Sequence, residues 1–169
     1  MKVTIHETPP ELFGDEVYRK EIPSQLERKT PLILEILKYL LENEWIEQEE
    51  EMTMRLVLDE TLINAIKHGN GEDEGKIVSI FMRSTPERWG IMIQDEGEGF
   101  TPEDVPDVDD PESLLLERGR GVLLIHEFMD TVWYYDQGSS VWLVKARPTS
   151  WSKAQRRMRR LWRRLLGRC

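Results

Sequence analysis

The apolar positions of this chain follow a helical spacing in some stretches and form short strand-like runs in others. Residues 17–22 read as a strand that Pro23-Ser24 breaks. Thr30-Pro31 predicts a helix start, with threonine as cap and proline at the first helical position. Ile33, Leu34, Ile36, Leu37, Leu40 and Leu41 give that helix a broad apolar face to about Asn43. A second helix is predicted from about Glu47 to His68. Leu58, Leu62, Ala65 and Ile66 form its apolar side, and Gly69-Asn70-Gly71 stops it, because glycine and asparagine tolerate the left-handed conformation. Strands are predicted over 77–83 and 89–94 around Thr85-Pro86-Glu87-Arg88. Two more, over 132–135 and 141–146, flank Gln137-Gly138-Ser139-Ser140. Between these pairs lies a third helix, from about Gly121 to Met129. The order predicts a two-layer α/β (α+β) sandwich with a mixed, mostly antiparallel sheet.

Charge changes this picture at the C-terminus. The net charge of −9 over 169 residues hides an asymmetry. The last 19 residues carry eight basic side chains and no acid, which leaves the first 150 at −17. Within that tail Trp151, Ala154, Met158, Leu161, Trp162, Leu165 and Leu166 fall on one side of a helix, with arginines on the others. The chain therefore reads as a globular domain over 1–148 and a basic amphipathic tail over 149–169. Such a helix suits an anionic membrane surface. Docking on the acidic body, binding a partner, and a disordered extension are the competing readings. A single cysteine, Cys169, excludes a disulfide scaffold within one chain and a cysteine-based zinc site. No run approaches the roughly 20 apolar residues of a membrane span. Lys2-Val3-Thr4-Ile5-His6-Glu7 lacks the apolar core of a signal peptide, so a cytoplasmic location is expected, with the tail allowing a peripheral place at the inner membrane.

Three short blocks carry the candidate chemistry. In Glu60-Thr61-Leu62-Ile63-Asn64-Ala65-Ile66-Lys67-His68-Gly69, an acid and an amide stand one turn apart on one helix face, and His68 extends the stripe. A carboxylate beside an amide oxygen suits Mg²⁺. The carboxylate alone suits proton abstraction from a hydroxyl. A solvated polar stripe has the same pattern. Asp95-Glu96-Gly97-Glu98-Gly99 follows a strand, so Asp95 sits at a strand end, where it can accept a hydrogen bond from an exocyclic amine; Gly97 and Gly99 allow close approach of a ligand. An ordinary turn has this composition too. Gly119-Arg120-Gly121 opens the third helix, and N–H groups at such an end attract an anion. Arg118 and Arg120 flank the bend within reach of a phosphate.

Together these blocks resemble the N, G1 and G2 boxes of the GHKL (Bergerat-fold) ATPase superfamily, and within it the small anti-sigma factors that are serine-protein kinases. The likeness covers roughly residues 17–147 and extends through Gly121-Val122-Leu123-Leu124-Ile125-His126-Glu127-Phe128-Met129-Asp130-Thr131-Val132. The resemblance implies a Bergerat fold that binds ATP and Mg²⁺. It implies Glu60 as catalytic base and Asn64 as the magnesium-holding residue, with His68 and Gly69 on the phosphate side. By the same resemblance Asp95 would read the adenine amine, Gly97 and Gly99 match the G1 glycines, and Gly119, Arg120 and Gly121 match G2.

The implied activity is transfer of the γ-phosphoryl group to a serine or threonine of an antagonist (anti-anti-sigma) protein in a partner-switching pathway. A sigma factor and a second copy of the chain are the further partners it implies, while direct nucleic-acid binding is not expected. Residues 100–117 correspond to the lid over ATP, and here they carry Glu103, Asp104, Asp107, Asp109, Asp110, Glu112 and Glu117. That many like charges repel a triphosphate. The alternative reading is therefore an ATP-binding module that regulates by stoichiometric contact without turnover.

Overall fold

The computed structural model describes residues 4–99 and 120–149. Their elements run β1 (Ile5–His6), β2 (Asp15–Pro23), α1 (Leu26–Glu42), α2 (Glu51–Ile63), β3 (Ile77–Ser84), β4 (Arg88–Gln94), α3 (Arg120–Phe128), β5 (Thr131–Tyr135) and β6 (Ser140–Ala146). The six strands form one sheet in the order β1-β5-β6-β4-β3-β2. Only the β1–β5 pairing is parallel; β2–β3, β3–β4, β4–β6 and β5–β6 are antiparallel. This is the mixed, mostly antiparallel α/β sandwich expected from the pattern.

Strand alternation divides the core between the two sheet faces. Val78, Ile80, Met82, Trp89, Ile91, Ile93, Val141 and Leu143 pack in one cluster with buried residues of the helices. Met92, Trp142 and Val144 lie in a second cluster with Phe13, Phe81, Trp133 and Tyr135. Asp95 follows Ile91 and Ile93 in the alternation, so β4 delivers its carboxylate to the helix-covered side.

The helices differ from expectation at several points. The first begins at Leu26, with Gln25 as its cap residue, and holds Pro31 inside it rather than at its start. Proline removes the hydrogen bond that the Glu27 carbonyl would otherwise receive. Both Glu27 and Pro31 are exposed, so water can serve that carbonyl. Leu34, expected on the apolar face, is 50 % exposed, whereas Leu32, Ile33, Ile36, Leu37 and Leu40 are buried. The second helix is three segments: a 3₁₀ turn over Gln48–Glu50, α2, and a π-helical turn over Asn64–Gly69. Its left-handed stop falls at Gly71 and Glu72, while Asn70 stays right-handed at φ −80°. The apolar side of this second helix, α2 with its π-turn, is as expected, with Leu58, Leu62, Ala65 and Ile66 buried.

The tail over 149–169 lies outside the described residues apart from Thr149, and so does the acidic segment 100–117. No helix among the described residues is long and apolar enough to cross a membrane.

Candidate functional site at α2, the β4 end and α3

Glu60 and Asn64 occupy the last turns of the second helix, and both are half-buried. The Asn64 N–H donates to the Glu60 and Thr61 carbonyls, so the two residues stand one turn apart as expected. From Asn64 onward the turn widens. Asn70 N donates to Ala65 O at 2.8 Å, five residues back, and His68 is exposed. A wider turn changes which residues share a face, and π-turns of this kind recur at functional sites.

The carboxylate of Glu60 packs against the backbone of Gly121, where α3 begins; a Cβ there would collide with it. The N-terminal end of α3 is thereby brought beside the acid. Val122 and Leu124 pack on the core, and Ile125 and Met129 are buried. His126 stands at 6.1 Å from the Tyr134 ring, and burial pushes its pKa down, which fits a packing role on this helix. Gly119 lies outside the described residues, and of Arg120 only the backbone, at the start of α3, is described.

The other half of the site forms around Asp95. Its carboxylate packs on the Cα of Gly69, the last residue of the π-turn, and Gly97 in turn packs on the Gly69 carbonyl. A side chain at either glycine would drive these segments apart. Gly97 N donates to Asp95 Oδ1 at 2.8 Å, and Asp95 N donates to Ser139 O at 2.9 Å. Gly99, at φ +79°, packs against the Gln137 carbonyl. Burial pushes the Asp95 carboxyl up to about 6, with Asp136 adding to the rise, while the Gly97 N–H and the Lys76 charge oppose it. Raised carboxyl pKa values of this origin cluster at functional sites.

Two residues that sequence reasoning passed over hold this arrangement. Asn70, read as a helix stop, is 3 % exposed. Its Oδ1 accepts from Glu96 N at 2.7 Å, and its Nδ2 donates to Ile77 O at 2.8 Å. Ser139, read as part of a turn, anchors Asp95 through its backbone. It sits in a turn held against local preference, since Asp136 and Gln137 lie at φ 54° and 56°, and Gly138 follows at 95°. Adjacent glycine and asparagine signalled a bend at Gly69-Asn70-Gly71, but nothing local signalled which carbonyl the amide would reach.

A cavity of about 500 Å³ at the corner of β2 and α1, lined by Lys20, Ile22, Gln25, Arg28, Leu32 and Glu74 among others, shares no residue with this constellation. The constellation that unites the three sequence blocks is the better candidate on chemistry. Its glycines let the segments pack in direct contact, Gly121 on Glu60 and Gly69 on Asp95, and its donor set is right for a nucleotide: a carboxylate for an amine, a helix N-terminus for phosphate. Oxygen donors at Glu60 and Asn64 suit a hard cation. The residues present therefore fit ATP with Mg²⁺.

The comparison with known families agrees. The family model described as histidine kinase-like ATPase domain matches residues 22–145, and the chain belongs to that family. Among curated proteins, none matches the chain. The class defined by fold and site is thus an ATP-binding domain of the histidine kinase-like type.

Proposed function

We propose that this protein is a serine/threonine-protein kinase of the partner-switching type, which binds ATP and moves its γ-phosphoryl group to a hydroxyl of an antagonist protein. The observation that carries the reading is the meeting of Glu60 with the start of α3 at Gly121. It supports the reading because a carboxylate beside a glycine-rich helix end suits a base acting on a hydroxyl near a phosphate. Asp95 holds the adenine by its amine. Asn64 holds Mg²⁺, which when bound neutralises charge on the phosphates. Glu60 takes or orients the proton of the incoming serine or threonine. A sigma factor released by that transfer, a second copy of the chain as dimer partner, and an anionic membrane surface contacted by residues 151–169 complete the proposed setting.

The test is phosphoryl transfer to candidate antagonist proteins with labelled ATP. Wild type should label an antagonist serine or threonine. Glu60→Ala should retain ATP affinity within about threefold and lose at least 10²-fold in transfer, the scale of a positioned base. Asn64→Ala should lose the magnesium dependence of binding. The acidic composition of residues 100–117 favours a second reading, regulation by stoichiometric contact. Wild-type protein that binds ATP and captures its partner, yet labels none of the antagonists, would establish that reading instead.

A further inference from the structure

Three hydrogen bonds close a ring behind Asp95. Asn70 Oδ1 accepts from Glu96 N at 2.7 Å, Glu96 Oε2 accepts from Ile77 N at 2.6 Å, and Asn70 Nδ2 donates to Ile77 O at 2.8 Å. The ring joins three segments: the end of the π-turn, the first residue of β3 seven residues on, and the loop after β4. Asn70 is buried and its two side-chain bonds are partly buried, so losing its amide leaves a polar group at a poorly hydrated position without its partner. Glu96 carries its carboxylate on the exposed side of the ring.

The neighbours of the ring are the parts that would meet a base. Glu96 is the residue after Asp95, so the Asn70 amide oxygen holds the peptide unit that follows the carboxylate. Gly69, the residue before Asn70, is the one on which the Asp95 carboxylate packs. Asn70 thus grips both sides of that carboxylate through the backbone, while its side chain bonds to Glu96 N and Ile77 O.

We propose that Asn70, with Glu96, is a positioning residue for base recognition: the ring fixes the Asp95 carboxylate where it can accept from the exocyclic amine of adenine. The proposal rests on the adenine-nucleotide reading above. A ring that served only to tie β3 to the loop would affect stability, and would weaken every nucleotide alike. A ring that aims Asp95 affects one hydrogen bond, so its loss shows in the choice between bases.

The probe is the ratio of affinities for ATP and inosine triphosphate, which carries a carbonyl in place of the amine and shares its phosphates and sugar. Asn70→Ala should lower ATP affinity about tenfold and leave inosine triphosphate affinity within about twofold, so the ratio collapses. The Glu96 amide hydrogen should exchange faster in this variant. Glu96→Ala should move the ratio in the same direction by a smaller factor, and Glu96→Gln, which keeps an acceptor for Ile77 N, should restore it. Because Glu96 is exposed, its two variants carry the test if Asn70→Ala does not fold. Equal losses for both nucleotides, or an unchanged ratio in Asn70→Ala and Glu96→Ala, would overturn the positioning role while leaving the nucleotide site standing. A wild-type protein that does not prefer ATP to inosine triphosphate would overturn base reading by Asp95, and this proposal with it.

Discussion

At the scale of single residues, burial of the Asp95 carboxyl costs stability at neutral pH, a cost that the proposed recognition of adenine would account for. Its carboxyl is pushed from 3.8 to about 6, chiefly by burial. The folded chain therefore holds this proton more tightly than the unfolded chain does. The contribution favours folding most below about pH 4 and is lost as pH rises through about 6. Two units correspond to about 3 kcal/mol, and partial exposure of the side chain reduces that to about 1–2 kcal/mol. Asp95→Asn should raise the melting temperature at pH 7.5 by about 2–6 °C, and the gain should vanish near pH 4 in thermal scans. The same substitution should weaken ATP by about one to two decades, the weight of a hydrogen bond to a charged group. Calorimetry showing unchanged ATP affinity would remove Asp95 from the site. In wild type, the preference for ATP over inosine triphosphate should fall as pH drops below about 6, since protonation removes the charged acceptor. Taking the ratio cancels titration of the phosphates.

At the scale of elements, the site depends on how one helix ends. The i, i+4 spacing of Glu60 and Asn64 was legible because α-helical geometry holds through Asn64. His68 was expected on the same stripe, and the π-turn leaves it exposed, because a five-residue hydrogen bond such as Asn70 N to Ala65 O advances the chain by a wider arc. That turn also delivers Gly69 to Asp95. Gly97→Ala should cost about 1–3 kcal/mol in denaturant midpoints and weaken ATP strongly, since its Cβ would strike the Gly69 carbonyl. Gly71→Ala is the control. It meets no atom within 4 Å but sits at φ +65°, so it should cost about 1 kcal/mol of backbone strain and spare nucleotide affinity. The misplaced start of α1 has a similar lesson. Thr30-Pro31 is a good local start signal, but Leu26 has core to pack on, and the helix extends to bury it.

At the scale of the whole molecule, the sheet brings the blocks together. The β4–β6 pairing, Gln94 opposite Ser140, places the Ser139 carbonyl where Asp95 N can reach it. Antiparallel order around β4 thus couples the β5–β6 turn to the loop that carries Asp95. The basic tail is the remaining large-scale feature. From its eight basic residues and its apolar stripe, sedimentation with anionic liposomes should show binding that falls with salt and disappears on truncation at Ser150. Truncation that lowers thermal stability, in a protein whose intact form ignores liposomes, would instead establish docking on the acidic body.

Local sequence determined most of the segments that become helix or strand, most of their apolar faces, and which three blocks bear polar groups suited to a nucleotide. Those properties depend on periodicity, on turn chemistry and on side-chain type, all of which act over a few residues. The fold class followed from their order. Only the tertiary structure decided that Glu60 lies against Gly121, that Asp95 packs on Gly69, and that Asn70 bonds to both Ile77 and Glu96. These contacts join segments as much as 61 residues apart. Their partners are backbone carbonyls, N–H groups and glycine Cα atoms, which every residue possesses and no side-chain pattern marks. Burial then sets the proton affinity of Asp95, because desolvation acts only once the chain has closed around it.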